Sequence, residues 1–89
     1  MYVRTRIRSL FGPLKIKFEL LARGLSYHQI AEAMPGDHDT WFDAALQWAE
    51  KRNPGELDYA GRAKLYRSLK NRGFTHEQAN AAINRISQS

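Results

Sequence analysis

The sequence of 89 residues contains no cysteine, which excludes disulfide bonds and thiolate-bound metal ions. No apolar run approaches the roughly 20 residues that a transmembrane helix requires. The basic N-terminal stretch MYVRTRIRSLF also lacks the continuous apolar segment of a signal peptide. Together these absences predict a soluble cytoplasmic protein that works in a reducing compartment.

Residue patterns typical of catalytic or metal sites are scarce as well. The three histidines, His28, His38 and His76, are separated by intervals that fit no metal-ligand motif. The chain has no glycine-rich phosphate loop, no nucleophile elbow and no constellation of paired carboxylates. We therefore expect a protein that is not an enzyme and that uses no metal and no cofactor.

Charge is distributed unevenly along the chain, whose formal net charge is +5. Residues 1–25 carry six basic side chains and one acidic one, and residues 51–89 carry eight basic and three acidic ones. Residues 26–50 have no lysine or arginine but five acidic side chains. This pattern suits contact with a polyanion on one surface and a basic partner on another. An unevenly charged, solvated surface is the equally compatible alternative.

Two stretches of the chain, ARGLSYHQIAEAM (22–34) and NRGFTHEQANAAI (71–83), repeat each other at a distance of 49 residues. In each stretch the glycine suits the left-handed conformation that ends a helix. The Ser or Thr two residues later, with Gln three positions beyond it, forms the capping box of the next helix. A fixed period of this kind indicates a tandem repeat. The equivalent pairs are Gly24 and Gly73, Ser26 and Thr75, and Gln29 and Gln78.

Helical periodicity predicts an all-α protein built from two tandem three-helix repeats, 1–36 and 37–89, in an elongated, curved body. Residues 53–59, which include Asn53-Pro54-Gly55, are predicted to form a loop. The six predicted helices cover residues 2–11, 13–23, 26–34, 38–52, 60–72 and 75–87.

The fourth predicted helix is apolar over an arc of about 200°. Trp41 and Trp48 lie on this arc, seven residues apart, and could serve either as core residues or as platforms for stacked bases. Their position on the apolar arc favours core packing. We therefore expect one continuous core that runs through both tryptophans.

Basic side chains coat several of the predicted helices. A DNA-reading helix-turn-helix motif is disfavoured, because the helix after LSYHQIAEAM opens with the acidic stretch GDHDTWFD, which phosphate would repel. Two functions remain open: contact with a nucleic-acid backbone, and docking on an acidic or mixed protein surface. The candidate binding residues are Arg4, Arg8, Lys15, Lys17, Arg23, Arg62, Lys64, Arg67, Lys70 and Arg72.

The second predicted helix carries an apolar stripe, Leu14, Phe18 and Leu21, that its own repeat does not need for packing. Three large apolar side chains on one exposed face would form an unusually adhesive patch. The fourth helix could cover the stripe. Otherwise we expect it to dock a preceding module or to mediate weak self-association with a second copy of the chain.

Three stretches, YVRTRIRSLFGPLKIKFELLARGLS, DTWFDAALQWAEKR and GRAKLYRSLKNRGFTHEQANAAI, resemble the RecX family of recombination regulators over essentially the whole chain. The last of them matches the family's pattern at Lys64, Tyr66, Arg67, Leu69, Arg72, Gly73 and Phe74.

The resemblance implies tandem three-helix repeats that bind the filament of the RecA recombinase. It also implies that binding inhibits the recombinase's ATP hydrolysis and strand exchange in recombination, DNA repair and the SOS response. Some members also contact single- or double-stranded DNA, and the family implies no catalytic residue. Members usually carry a further N-terminal repeat before the YVRSR-like stretch. Since Tyr2 directly follows Met1, we expect this chain to lack that repeat.

Overall fold

The computed structural model describes residues 2–52 and 57–88. These residues form six α-helices and no β-strand, which confirms the predicted all-α class. The body measures 41 × 21 × 19 Å along its principal axes and is therefore elongated. Most of the predicted loop, residues 53–56, lies outside the described residues. The helices are α1 (Tyr2–Arg8), α2 (Pro13–Ala22), α3 (Tyr27–Ala33), α4 (His38–Arg52), α5 (Tyr59–Asn71) and α6 (His76–Ser87).

Helix α1 ends three residues earlier than predicted. Leu10 has φ 65°, in the left-handed region, and the Phe11 N–H bonds back to the Arg6 carbonyl at 3.1 Å. This conformation costs a side chain about 1–2 kcal/mol. Burial of Leu10, which is 8% exposed, offsets that cost. The early end of α1 therefore depends on packing and not on a local stop signal.

The two repeated turns have the same conformation. Gly24 and Gly73 have φ of 93° and 97°, as the sequence predicts for residues that end a helix. The Ser26 hydroxyl accepts the Gln29 N–H at 3.2 Å, and Thr75 makes the same bond at 3.1 Å. In each case the glutamine side chain accepts the N–H of the capping residue in return. Both predicted capping boxes are therefore confirmed.

The buried side chains form two clusters instead of the single continuous core that we expected. One cluster joins α1, α2 and α3 and takes in Trp41 from α4. The other joins α4, α5 and α6 and takes in Leu10 from the first repeat. Ile7 packs against both clusters. Each repeat thus contributes a large side chain to the core of the other, and the division at 1–36 and 37–89 stays a prediction.

A close backbone contact, which we call the repeat junction, joins the α1–α2 connection to the α5–α6 turn. The Gly12 N–H donates to the Arg72 carbonyl at 2.7 Å, and the Leu14 N–H donates to the Gly73 carbonyl at 2.8 Å. A Cβ atom on Gly12 would overlap the backbone of Gly73, and one on Gly73 would overlap the Cβ of Lys15. The repeat junction therefore favours glycine at both positions, because a side chain at either one would overlap the facing segment.

The equivalent turn in the first repeat has open surroundings. No heavy atom lies within 4 Å of the place that a Cβ on Gly24 would occupy. We expect Gly24→Ala to lose about 1–2 kcal/mol of unfolding free energy, because only the left-handed backbone opposes it. Gly73→Ala adds a steric overlap to the same strain and should lose clearly more. Urea unfolding followed by circular dichroism compares the two variants, and equal losses would contradict the described junction.

Candidate functional site

Seven of the ten basic candidates have exposed side chains that are available for binding. The other three, Lys15, Arg62 and Arg72, are half-buried. Arg62 donates to the Ser87 hydroxyl at 2.6 Å and to the Asn84 side-chain oxygen at 3.3 Å, which ties α5 to the end of α6. The exposed candidates are Arg4, Arg8, Lys17, Arg23, Lys64, Arg67 and Lys70.

Arg72 has a role within the fold that the sequence did not indicate. Its guanidinium donates to the carbonyls of Ser9 and Leu10, the latter at 3.2 Å. The same group lies 3.7 Å from the Phe11 ring centroid and 4.0 Å from that of Trp48. Burial lowers the pKa of Arg72, with the neighbouring cations Arg6 and Arg52 adding to the shift. The Arg72 side chain therefore links the α5–α6 turn to the α1–α2 connection and to α4.

The two tryptophans are packed, as the apolar arc of their helix predicts. Trp41 is 6% exposed and donates its indole N–H to the Pro35 carbonyl at 3.1 Å. Trp48 is half-buried against the second core cluster and donates to the Ser68 hydroxyl at 2.9 Å. The Trp48 ring also has Arg52 and Arg72 over it. Neither indole has an open face of the kind that base stacking requires.

An ion pair between α1 and α2 was missed in the sequence. Arg6 contacts both oxygens of Glu19, at 3.0 and 2.6 Å, and the Tyr2 hydroxyl donates to Glu19 at 2.7 Å. The hydrogen bond from Arg6 lowers the pKa of Glu19, and the hydrogen bond to Glu19 raises the pKa of Tyr2. The sequence did contain a signal for this ion pair, because Glu19 is the single acidic residue among residues 1–25 and six basic residues surround it in the chain.

Each repeat has an open groove between its second and third helices. The first groove, between α2 and α3, has a volume of about 350 Å³, and the second groove, between α5 and α6, about 310 Å³. Five of the seven lining positions of the second groove coincide with lining positions of the first when the chain is shifted by the repeat period of 49 residues. The coinciding pairs are Pro13 and Arg62, Leu14 and Ala63, Lys17 and Tyr66, Ala31 and Asn80, and Met34 and Ile83.

The first groove is apolar and lies beside the apolar stripe. Leu14 is 49% exposed, Phe18 71% and Leu21 37%. Helix α4 therefore does not cover the stripe, and that alternative is wrong. Instead, α4 contributes Trp41 to the lining of the first groove. A large apolar surface thus remains open to solvent on the first repeat.

The second groove combines aromatic and basic side chains with apolar ones. The Tyr66 hydroxyl lies 2.7 Å from His76 Nδ1, and His76 Nε2 lies 2.8 Å from the Asn80 side-chain nitrogen. Arg67 lines the groove together with Tyr59, which is 90% exposed. Tyr59 was not among our candidates, although it precedes Tyr66 by two helical turns on the same face of α5.

The five acidic side chains of residues 26–50 are all exposed. Asp37 caps α4, as predicted, by accepting the Thr40 N–H at 3.0 Å and the Thr40 hydroxyl at 2.6 Å. These bonds lower the pKa of Asp37. Within residues 2–52 and 57–88, no group of three His, Asp or Glu side chains could hold a metal ion. None of the described helices is long and apolar enough to cross a membrane. The exposed acids are Glu32, Asp37, Asp39, Asp43 and Glu50.

Fold and surfaces together define a tandem-repeat helical protein with a groove in each repeat, the first lined mainly by aliphatic side chains and the second carrying two arginines. Residues 1–34 match the family model of the second three-helix domain of RecX, and residues 39–83 match that of the third. The chain belongs to the RecX family.

Several relatives carry the name regulatory protein RecX. The one from Chromohalobacter salexigens is 38% identical over 84 residues, which are 92% of this chain and 55% of the relative. The one from Legionella pneumophila is 30% identical over 90 residues, 99% of this chain and 60% of the relative. The one from Xanthomonas campestris pv. campestris is 36% identical over 74 residues, which are 81% of this chain and 46% of the relative. The chain thus spans about half the length of these relatives. No solved structure matches it.

We expect Arg72→Lys to lower the free energy of unfolding by about 1–3 kcal/mol. Lysine keeps the charge but loses the fork that reaches two carbonyls and the plane that stacks on two rings. Arg67→Lys, on an exposed face of the same helix, should change stability by less than about 0.5 kcal/mol. Urea unfolding of both variants checks this difference. Similar values for the two would show that Arg72 does not fasten the junction.

Proposed function

We propose that this chain is a non-catalytic regulator that binds a RecA-type recombinase filament and inhibits its ATPase and strand-exchange activities. Membership of the RecX family, through both its second and third domain models, is the observation that carries the proposal. The names of its relatives agree with a regulatory role. We place its action in the cytoplasm, in recombination, DNA repair and the SOS response, and its cysteine-free composition agrees with that.

The charge distribution supports a partner that contains protein. Seven exposed basic candidates suit an acidic or polyanionic surface. Five exposed acids between them would oppose a partner made of nucleic acid alone, because phosphate repels carboxylate. A recombinase filament presents protein and nucleic acid together and accommodates both signs. The second candidate function, nonspecific DNA binding, is favoured by the exposed Lys64, Arg67 and Lys70 on α5.

Titration of the full chain into recombinase filaments on single-stranded DNA should lower the rate of ATP hydrolysis. Lys70→Glu should weaken this effect, since it reverses a charge on the proposed surface. Lys51→Glu is the matched control, because it makes the same change at an exposed residue in the last turn of another helix. If hydrolysis never changes while bare DNA is bound, the regulatory proposal fails and nonspecific DNA binding replaces it.

We further propose that the apolar stripe mediates weak self-association, or docks a preceding module where one is present. In sedimentation experiments the wild-type chain should form a reversible dimer at high concentration. Phe18→Glu should stay monomeric, because it places a charge in the stripe. Arg67→Glu occupies the equivalent position of the second repeat and should still dimerise. A wild-type chain that stays monomeric throughout would rule out self-association.

A further inference from the structure

We infer that the second groove is a binding site for a single-stranded polynucleotide, with a base stacked on Tyr59 and phosphates held by Arg62 and Arg67. The inference rests on the part of the proposed function in which the chain contacts nucleic acid. It goes further by naming the site, the strandedness of the ligand and the contact that discriminates strand from duplex.

Tyr59 provides the stacking surface. It is the first residue of α5 and follows the capping residue Asp58, whose carboxylate accepts the Gly61 N–H at 2.7 Å. The side chain is 90% exposed, the largest value among the exposed large hydrophobic residues of the described chain. A free aromatic face of this kind can stack on any base, because every base has a π-face. Both tryptophan rings, by contrast, are already covered.

Two guanidinium groups provide the phosphate contacts. Arg67 lines the groove with an exposed side chain. Arg62 is held in place by its bonds to Asn84 and Ser87. Each of these bonds uses one terminal nitrogen, and a guanidinium carries five N–H donors, so donors remain for a phosphate oxygen. One cation is thus held in position while the other is free to follow the strand.

The lining of the groove suits bases of any sequence. Ala63 and Ile83 offer apolar contact, while Tyr66 and Asn80, whose side chains both lie within hydrogen-bond distance of His76, offer polar groups. Among the residues that the structure describes, the acidic ones nearby are Asp58, which is engaged as a cap, and Glu77, which is exposed on α6. Aromatic faces next to cations, with few base-specific contacts, are the features of proteins that bind single strands without sequence preference.

The first groove provides the comparison within the same molecule. It occupies equivalent positions, but Pro13 and Phe18 stand where the second groove has Arg62 and Arg67. A polyanion would therefore find the Lys17 ammonium in the first groove but no guanidinium at these two positions. A duplex fits the second groove poorly as well, because its bases are already stacked on each other and cannot stack on Tyr59. The ligand that uses all the features of the second groove is an unpaired strand.

Fluorescence anisotropy of the full chain with labelled oligo-dT, oligo-rU and a DNA duplex tests the assignment. Tyr59→Ala should weaken single-strand binding about tenfold and leave the salt dependence unchanged, because stacking releases no counterions. Arg67→Gln should make the slope of log K against log salt shallower by about 0.7. The two single-stranded probes determine whether the sugar matters. Duplex binding should be weaker and should not respond to Tyr59→Ala.

Tyr27→Ala is the matched control, because Tyr27 is also a first helical residue, follows the capping Ser26 and is 71% exposed. It should bind oligonucleotide like the wild type. Equal losses in the two tyrosine variants, or none in Tyr59→Ala, would overturn the site. So would a wild-type chain that binds no bare oligonucleotide.

Filament ATPase measurements separate this inference from the proposed function. Inhibition by a chain that binds no bare strand would leave the regulatory role standing without the site. A Tyr59→Ala variant that loses inhibition but keeps strand binding would assign the groove to a protein surface and overturn the inference. Loss of strand binding together with weaker inhibition supports both.

Discussion

The contact between the Arg72–Gly73 turn and the Gly12 backbone holds the two repeats together. Its hydrogen bonds run between backbone groups, or from a guanidinium to carbonyl oxygens, and two aromatic rings cover that guanidinium. Among the described residues, no acidic side chain takes part in this contact. The acids of the middle segment face solvent, and the exposed basic side chains of α2 and α5 (Lys17, Lys64, Arg67 and Lys70) remain available for partners. The repeat junction thus uses backbone groups and one guanidinium, whereas the proposed binding surfaces use exposed charged side chains.

Features with short-range causes were predictable from the sequence. The capping boxes at Ser26 and Thr75, the left-handed glycines and the order of six helices follow from residues only a few positions apart. The early end of α1, the double core and the role of Arg72 were not predictable in this way. They depend on contacts such as that between Arg72 and Leu10, which are separated by 62 residues. A helical wheel shows which side chains share a face, but it does not show what covers that face.

The same distinction applies to the candidate site. The sequence indicated the basic residues and the apolar stripe, but it left open whether α4 would cover Leu14 and Phe18. It also gave no measure of how exposed Tyr59 would be. The correspondence of the two grooves became visible only when the third helix of each repeat was placed against the second. The two grooves thus occupy equivalent positions of the repeats and differ in the residues that line them.

The two equivalent glycines, Gly24 and Gly73, have different surroundings, and this difference makes the contact between the repeats directional. The turn at Gly73 packs against Lys15 of the first repeat, whereas no heavy atom lies within 4 Å of the Cβ position of Gly24. The surfaces that meet in such a joint are different, so the contact is heterologous and not self-complementary. Units added by repeating this joint would all face the same way along the array, and the rotation from one unit to the next would decide between an open superhelix and a closed ring.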